Sequence, residues 1–302
     1  MKNTLINLFY YWVGIGFLIL SKIKYFIHGY STPKPFDISE FQRAVEYDIR
    51  VVDRWIAMLQ EYVGDDRISA INNKSILELG PGSDLGVGLY LLSKSIKEYV
   101  AIDVNNLVQN VPEKFYNIFF AYLKEKDHLL GISFLKEQLN KTNNGNNDKL
   151  DYICRKDFDI ESALGSRKID IVFSQAAFEH FDDINVTIKA VSAVTKPGAI
   201  IIALVDLKTH SRWIRDKDPN NIYRYSEWIY RLISTRGTPN RVRPYQYKQA
   251  LEKNGWENVI IAPITTLENV KFNSIKKHLN RKFIEDKNQM NYLGVWLCAT
   301  KT

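Results

Sequence analysis

The sequence predicts an α/β protein built around a doubly wound, mostly parallel sheet. Three observations carry this reading. Short apolar runs alternate with stretches of helical period, the first run empties into a glycine-rich turn that opens a helix, and acidic or hydroxyl residues stand at the carboxyl ends of successive runs. The 302 residues, 45% hydrophobic and 25% charged, suffice for one large core with additions and exclude a disordered chain. Lys and Arg outnumber Asp and Glu by 41 to 34. That surplus is too small to demand a nucleic-acid track, yet it is compatible with an anionic small molecule or a membrane surface. Cys154 and Cys298 stand far apart and outside any CxxC pair, so both are expected as free, buried thiols.

Taken in order, residues 1–32 form a hydrophobic amino-terminal segment. No charge occurs from Asn3 to Leu20, and Leu5 to Leu20 is apolar apart from Asn7, near the lower limit of about 17–25 residues for crossing a bilayer. Ser21-Lys22-Ile23-Lys24 occupies the place of a small-residue cleavage site, which argues against a removed signal peptide. Two readings stay open: residues 3–28 meet a membrane, with Lys22, Lys24 and the aromatics at the headgroups, or they pack against the rest of the protein. Pro33-Lys34-Pro35 reads as a stiff connector to a main domain at 33–302.

Ser39 and Gln42 have capping-box spacing, and Phe41, Val45, Ile49, Val52, Trp55, Ile56, Leu59 and Tyr62 then recur at helical intervals. Lys74 to Leu79 is the first strand, and Gly86 to Ile96 is the helix after its turn. The second strand, Tyr99 to Ile102, ends at Asp103; the third runs through Tyr152 to Cys154 and ends near Asp157; the fourth is Ile169 to Ser174. Residues 113–149 read as a helical insertion, helical from Phe115 to Leu139 and a surface loop from Asn140 to Asp148. Asp183 to Val194 is helical, Lys196-Pro197-Gly198 a turn, and Ala199 to Val205 the fifth strand. Gln246 to Asn254, Trp256 to Ile264 and Tyr292 to Thr300 close the chain as helix, strand and strand. In such a sheet ligands gather beyond the carboxyl ends of the strands, where Glu78, Asp103, Asp157, Ser174 and Asp206 fall.

Gly80-Pro81-Gly82 lets backbone approach a ligand closely, because glycine lacks the Cβ that would block contact. A dinucleotide fingerprint would require a third glycine where Leu85 stands, so a nicotinamide site is a poor match. Glu78 before the turn suits an ammonium, and Asp103 at the next strand end suits a ribose diol.

With those residues in place, the sequence resembles the class I methyltransferase family. Ile76 to Gly82 looks like its first motif, Val100 to Asp103 its second, Ile169 to Phe181 its fourth-strand motif, and Lys196-Pro197-Gly198 its turn before strand five. The resemblance implies a Rossmann-like sheet of seven strands with the last antiparallel. It also implies that Gly80, Pro81 and Gly82 line S-adenosyl-L-methionine, Glu78 lies near the methionine ammonium, Asp103 holds the ribose and Asp157-Phe158 flank the adenine. Ser174 and Gln175 of the fourth-strand motif join the cofactor residues.

Methyl transfer to a hydroxyl needs alignment and a proton acceptor, for which His210 and His180 are candidates, with Asp206 beside them in sequence. An Asp-Leu-x-x-His segment at 206–210, a Tyr-Ser-x-Trp segment at 225–228 and an Asn-Arg-x-Arg segment at 240–243 resemble methyltransferases of bacterial surface-glycan and sugar modification. On that resemblance Arg212, Tyr225, Trp228, Asn240, Arg241 and Arg243 would contact the acceptor, a small molecule or glycan precursor, under a lid at about 207–245. Three alternatives stand beside it: an RNA acceptor, a lipid or quinone acceptor, and a non-catalytic membrane-tethered scaffold. Ser174-Gln175-Ala176-Ala177 replaces the element of base-amino methylases, which disfavours exocyclic amine methylation but not ribose methylation, and a nucleic-acid partner is not expected. No Asp, Glu and His cluster has ligand spacing, so no metal is expected. The expected location is cytoplasmic, at the inner face of the cell membrane.

Overall fold

The computed structural model describes residues 2–29, 38–64, 70–126 and 131–302; the Pro33-Lys34-Pro35 connector lies outside them. In chain order the elements are α1 (Lys2–His28), α2 (Phe41–Val63), β1 (Ser75–Leu79), α3 (Gly86–Ser93), β2 (Glu98–Asp103), α4 (Glu113–Glu125), α5 (Ile132–Asn143), β3 (Leu150–Cys154), α6 (Ile160–Leu164) and β4 (Ile169–Gln175). They continue as α7 (Ile184–Val194), β5 (Thr195–Asp206), α8 (Arg212–Arg215), α9 (Glu227–Ile233), α10 (Pro244–Lys253), β6 (Trp256–Thr266), α11 (Asn269–Lys276) and β7 (Tyr292–Lys301).

The seven strands form one sheet in the order β3-β2-β1-β4-β5-β7-β6. β1 pairs in parallel with β2 and β4, and β2 with β3. Strand order therefore reverses between β1 and β4, the switch point where open α/β sheets bind ligands. Leu207 N–H donates to the Leu293 carbonyl and Leu267 N–H to the Asn291 carbonyl, so the ends of β5 and β6 meet the start of β7, which runs antiparallel to both. The expected Rossmann-like α/β sheet, mostly parallel with an antiparallel last strand, is the one found.

Two compact units divide the chain. In the first, which holds β1 to β4 and most of β5, the central strand β1 is buried along its whole length. Parallel strands are covered on both faces, which is why Ile76, Leu77 and Leu79 read as a continuous apolar run. α2 buries the stripe Phe41, Val45, Val52, Trp55 and Leu59, and the Trp55 ring stacks on Phe173 of β4 at 4.7 Å. Gly64 ends α2 in the left-handed conformation, its N–H closing on the Gln60 carbonyl. The second unit comprises α1, Ala176–Ile188 and Leu204–Leu297.

Several boundaries differ from expectation. Ser39 makes no capping box, because a 3₁₀ turn at Ile38–Glu40 carries the chain into α2 and leaves Glu40 at the cap position; Gln42 bonds Glu46 one turn on. α3 stops at Ser93, whose hydroxyl takes the Tyr90 carbonyl. The helical stretch predicted for 115–139 is two helices, α4 and α5, and α5 runs on to Asn143. Lys196-Pro197-Gly198 is not a free turn: β5 begins at Thr195, directly after α7, with Lys196 pinned to Asp170 of β4 at 2.8 Å. Cys298 is buried, but Cys154 is exposed at the end of β3, where the chain leaves the sheet.

Candidate active site

In the first unit the turn after β1 is held open by two glycines with positive φ, Gly80 at 73° and Gly82 at 85°, a conformation that side chains with a Cβ rarely adopt. Gly80 N–H donates to the Ile102 carbonyl of β2. That contact brings the turn beside Asp103, whose carboxylate accepts the Asn105 N–H at 3.0 Å, with the Val104 and Gly82 backbone groups also favouring its charged form. Burial nevertheless pushes the Asp103 carboxyl above its ordinary value. Glu78 is only 1% exposed inside the apolar strand. Burial raises it from 4.5 to about 8, against the Tyr99 hydroxyl that donates to Oε2 and holds it down.

Two further carboxyls join them. Asp48, from the buried face of α2, lies against Gly86 so closely that a Cβ there would strike its Oδ2. Burial, then the charge of Asp84, drives the Asp48 carboxyl well up. Asp84 accepts the Gly86 N–H at the start of α3 at 2.9 Å, and burial raises it too. The two carboxyls act on each other at close range, and Asp48 Oδ2 has no partner. Among the described residues no basic side chain forms an ion pair with Glu78, Asp48, Asp84 or Asp103. Such a collection of buried acids is the electrostatic complement of a small cation.

In the second unit a 3₁₀ turn, Phe178–His180, follows β4, and His210 lies four residues past the end of β5. The His180 and His210 rings meet edge to face at 4.8 Å. Both are held neutral. Burial lowers His180, while burial followed by the neighbouring His180, Arg215 and Lys208 lowers His210 to about 3. Asp206 Oδ2 stands 3.9 Å from His210 Nε2 and is paired with Arg215. Glu179, 2% exposed, completes the group, its carboxyl raised by burial and by the charge of Asp206.

A family model described as a methyltransferase domain matches residues 47–260. The chain belongs to the methyltransferase-domain family. No curated protein matches its sequence. Among solved structures it is similar to the CurJ carbon methyltransferase (16% identity, 82% of this chain and 55% of that one, TM-score 0.40). It is also similar to Haemonchus contortus phosphoethanolamine N-methyltransferase 2 in complex with S-adenosyl-L-methionine (12%, 85% and 52%, TM-score 0.46) and to Bacillus subtilis YcgJ (11%, 83% and 98%, TM-score 0.40). The chain spans about half the length of the first two. The family match, not these distant likenesses, carries the assignment.

S-adenosylmethionine is the cofactor of class I methyltransferases, and the residues present fit it. Its methionine ammonium would meet the acidic lining of Glu78, Asp48 and Asp84, and Asp103 ends the neighbouring strand, where a ribose diol would be received. Ser174 is fully buried and spends its hydroxyl on the Leu79 carbonyl across the switch point, so it braces β1 against β4. Asp157, expected beside the adenine, is exposed and engaged by Arg155. Arg155 grips both its oxygens at 3.0 and 2.8 Å and holds it at about 2, so this exposed carboxylate braces its own loop. Phe158 beside it adopts φ 51°.

The predicted acceptor contacts of the methyltransferase need a larger correction. Arg243 is wholly buried and donates to the carbonyls of Asn288, Gln289 and Tyr292 and to the Tyr223 hydroxyl. Arg241 donates to the carbonyls of Ile222 and Tyr225 and pairs with Glu227 at 2.7 Å. Asn240 ties the Phe178 and Phe181 carbonyls together, and Tyr225 bonds Asn221 and the Tyr11 carbonyl. These four hold loops in register, and a buried donor already satisfied by backbone has nothing left for a ligand. Trp228 is 68% exposed and Gln175 partly exposed, so the indole of the one and the amide of the other remain open to solvent. Arg212 begins α8, and its side chain lies outside the described residues.

Asp48, Asp84, Tyr99 and Glu179 escaped the sequence reading. A signal existed for Asp48, which interrupts the apolar series Phe41, Val45, Val52, Trp55 at a position of the same helical face. Glu179, His180 and His210 also converge, a grouping that the absence of ligand spacing in the sequence does not reveal.

Proposed function

We propose that this methyltransferase moves a methyl group from S-adenosylmethionine to an oxygen of a small, polar, anionic acceptor of sugar-like or glycan-precursor type. The observation that carries the oxygen assignment is the pair of neutral histidines, His180 and His210, beside Asp206. Both follow, in the chain, strands whose carboxyl ends border the ligand region of such sheets. When bound, the cofactor supplies an electrophilic methyl. The acceptor hydroxyl gives its proton to an imidazole nitrogen as its oxygen gains the methyl, and Asp206 steadies the imidazolium. His210 at about 3 is a weak proton acceptor, partly because Arg215 and Lys208 are near. A phosphate on the acceptor offsets those charges and raises His210 toward working pH, which favours a sugar phosphate or nucleotide sugar. Trp228 and Arg212 are retained as acceptor contacts, with residues 207–245 as the lid.

We further assign α1 to the plane of the cytoplasmic membrane face. Leu5–His28 is long and apolar enough to cross a bilayer. One face, however, is engaged by the protein: Asn7 accepts from Arg224, the Tyr10 carbonyl accepts from Asn221, and Leu18 is buried. Leu5, Leu8, Phe9, Trp12, Leu20, Ile23, Phe26 and Ile27 are exposed on the rest of the helix. A helix with one face docked and the other apolar suits an interfacial position, and it supports a second reading in which the acceptor is lipid-borne.

The test is calorimetric titration with S-adenosylmethionine and S-adenosylhomocysteine, comparing wild type with Gly80→Arg and Asp103→Ala. Labelled-methyl transfer to nucleotide sugars and to lipid-linked glycan precursors follows. Binding lost in the variants supports the cofactor site. A folded wild type that binds neither ligand removes the methyltransferase reading and promotes the scaffold. Co-flotation with anionic vesicles, lost on deleting residues 1–28, tests the membrane assignment.

A further inference from the structure

Glu179, His180 and His210 each offer one donor atom, and the three atoms lie within 4.8 Å of one another. We propose that they form a binding site for a single divalent first-row transition cation, with zinc as its probe. Neighbouring residues show why the cluster stands out. Asn240, Arg241 and Arg243 spend their polar groups on protein partners, whereas neither Glu179 oxygen, nor His180 Nδ1, nor His210 Nε2 closes a hydrogen bond. The backbone N–H groups of Glu179 and Asp206 lie toward the carboxyl without completing one. Four unpartnered polar atoms in one buried place is a costly arrangement, and a bound ion is a physical reason for it to persist.

The surroundings are those of a built site. The Gly237 backbone faces the His180 ring and favours its protonated form, while Nδ1 stays without a partner; a backbone group beside a ligand imidazole is the kind of outer-shell contact that orients it. Asn240 fixes the turn that carries Glu179 and His180 through three bonds: its N–H to the Glu179 carbonyl at 2.6 Å and its amide to the carbonyls of Phe178 and Phe181 at 2.8 and 3.0 Å. Asp206, paired with Arg215, is the nearest further carboxylate. Two imidazoles and one carboxylate suit zinc, manganese or iron and not magnesium or calcium, which prefer oxygen donors throughout. Ligand bonds of about 2.0–2.2 Å require the donors to draw together by about 1 Å, within reach of small ring rotations. Three protein ligands leave a position open for an outside oxygen. The site stands on this geometry alone; with the cation bound, His180 and His210 serve it and the acceptor's proton goes elsewhere, so their proton-accepting role belongs to the metal-free protein.

The experiment is titration of chelator-stripped, full-length protein with zinc chloride and, separately, magnesium chloride, followed by cobalt(II) absorption spectroscopy. One equivalent of zinc at micromolar affinity or better is expected, with no magnesium uptake and visible cobalt bands. His210→Ala and Glu179→Gln, each checked for folding by circular dichroism, should weaken zinc at least tenfold and change the cobalt spectrum. A folded wild type that takes up neither zinc nor cobalt overturns the proposal, a result that needs no variant. Wild-type affinity in a folded His210→Ala overturns it equally, as does zinc binding abolished by Cys154→Ser but not by His210→Ala.

Discussion

Glu78→Gln tests the electrostatic logic of the cofactor cradle directly. In the folded protein burial lifts Glu78 from 4.5 to about 8. Between those values the folded state holds a proton that the unfolded chain has released, so stability falls as pH rises. Below 4.5 both states are protonated and the penalty is absent; above about 8 it is complete. The displacement corresponds to at most about 5 kcal/mol, an upper bound that relaxation reduces. Glu78→Gln keeps the shape and removes the titration, so the variant should gain on wild type steadily from pH 5 to 8 in the absence of cofactor. Cofactor binding should move the opposite way. The variant leaves the ammonium without its charge partner, a loss of about 2–5 kcal/mol, or at least thirtyfold in affinity. Urea unfolding at pH 5, 6, 7 and 8 measures the first effect, and titration with S-adenosylhomocysteine the second. A stability difference that stays flat across this range, or a variant that binds the cofactor product as well as wild type, refutes the reasoning.

Other sites make sharper yes-or-no tests. Gly88→Ala should cost about 1–3 kcal/mol in unfolding free energy, because its Cβ would enter the Tyr99 ring and the Leu150 side chain; an unchanged melting temperature would show that ring to be loosely packed. Gly14→Leu should undock α1 and expose it to protease, since Asn221 and the Tyr225 hydroxyl occupy the space, whereas Gly16→Leu, with nothing within 4 Å, should not. Equal cleavage of the two variants would deny the docking. Arg224→Ala leaves Asp218 buried and unpaired beside Asn7, where the intact ion pair measures 2.7 Å. A loss of about 3–5 kcal/mol is expected by thermal unfolding, and a loss below 1 kcal/mol would mean that water reaches the pair.

Local pattern made much of this protein legible. Alternating strands and helices, a glycine turn after an apolar strand and an acid at the next strand end define the sheet and its ligand edge, because each depends on residues a few positions apart. The places of Glu78, Gly80, Gly82 and Asp103 at that edge therefore follow from the local pattern. So was the double character of α1, apolar in composition yet interrupted by Asn7, which turns out to be the residue that Arg224 engages. Tertiary structure alone decided where polar groups spend their bonds. Asn240, Arg241 and Arg243 look like a ligand-reading motif in one dimension, but the chain returns at 178–181, 222–225 and 288–292 to present carbonyls that consume them. Conversely, Asp48 and Asp84 are 36 positions apart in the numbering, and Glu179 and His210 are 31 apart, yet each pair shares one buried place. Burial, and with it the choice between a satisfied hydrogen bond and a charge waiting for a partner, is a property of contacts between distant segments and is not written in the spacing of any one of them.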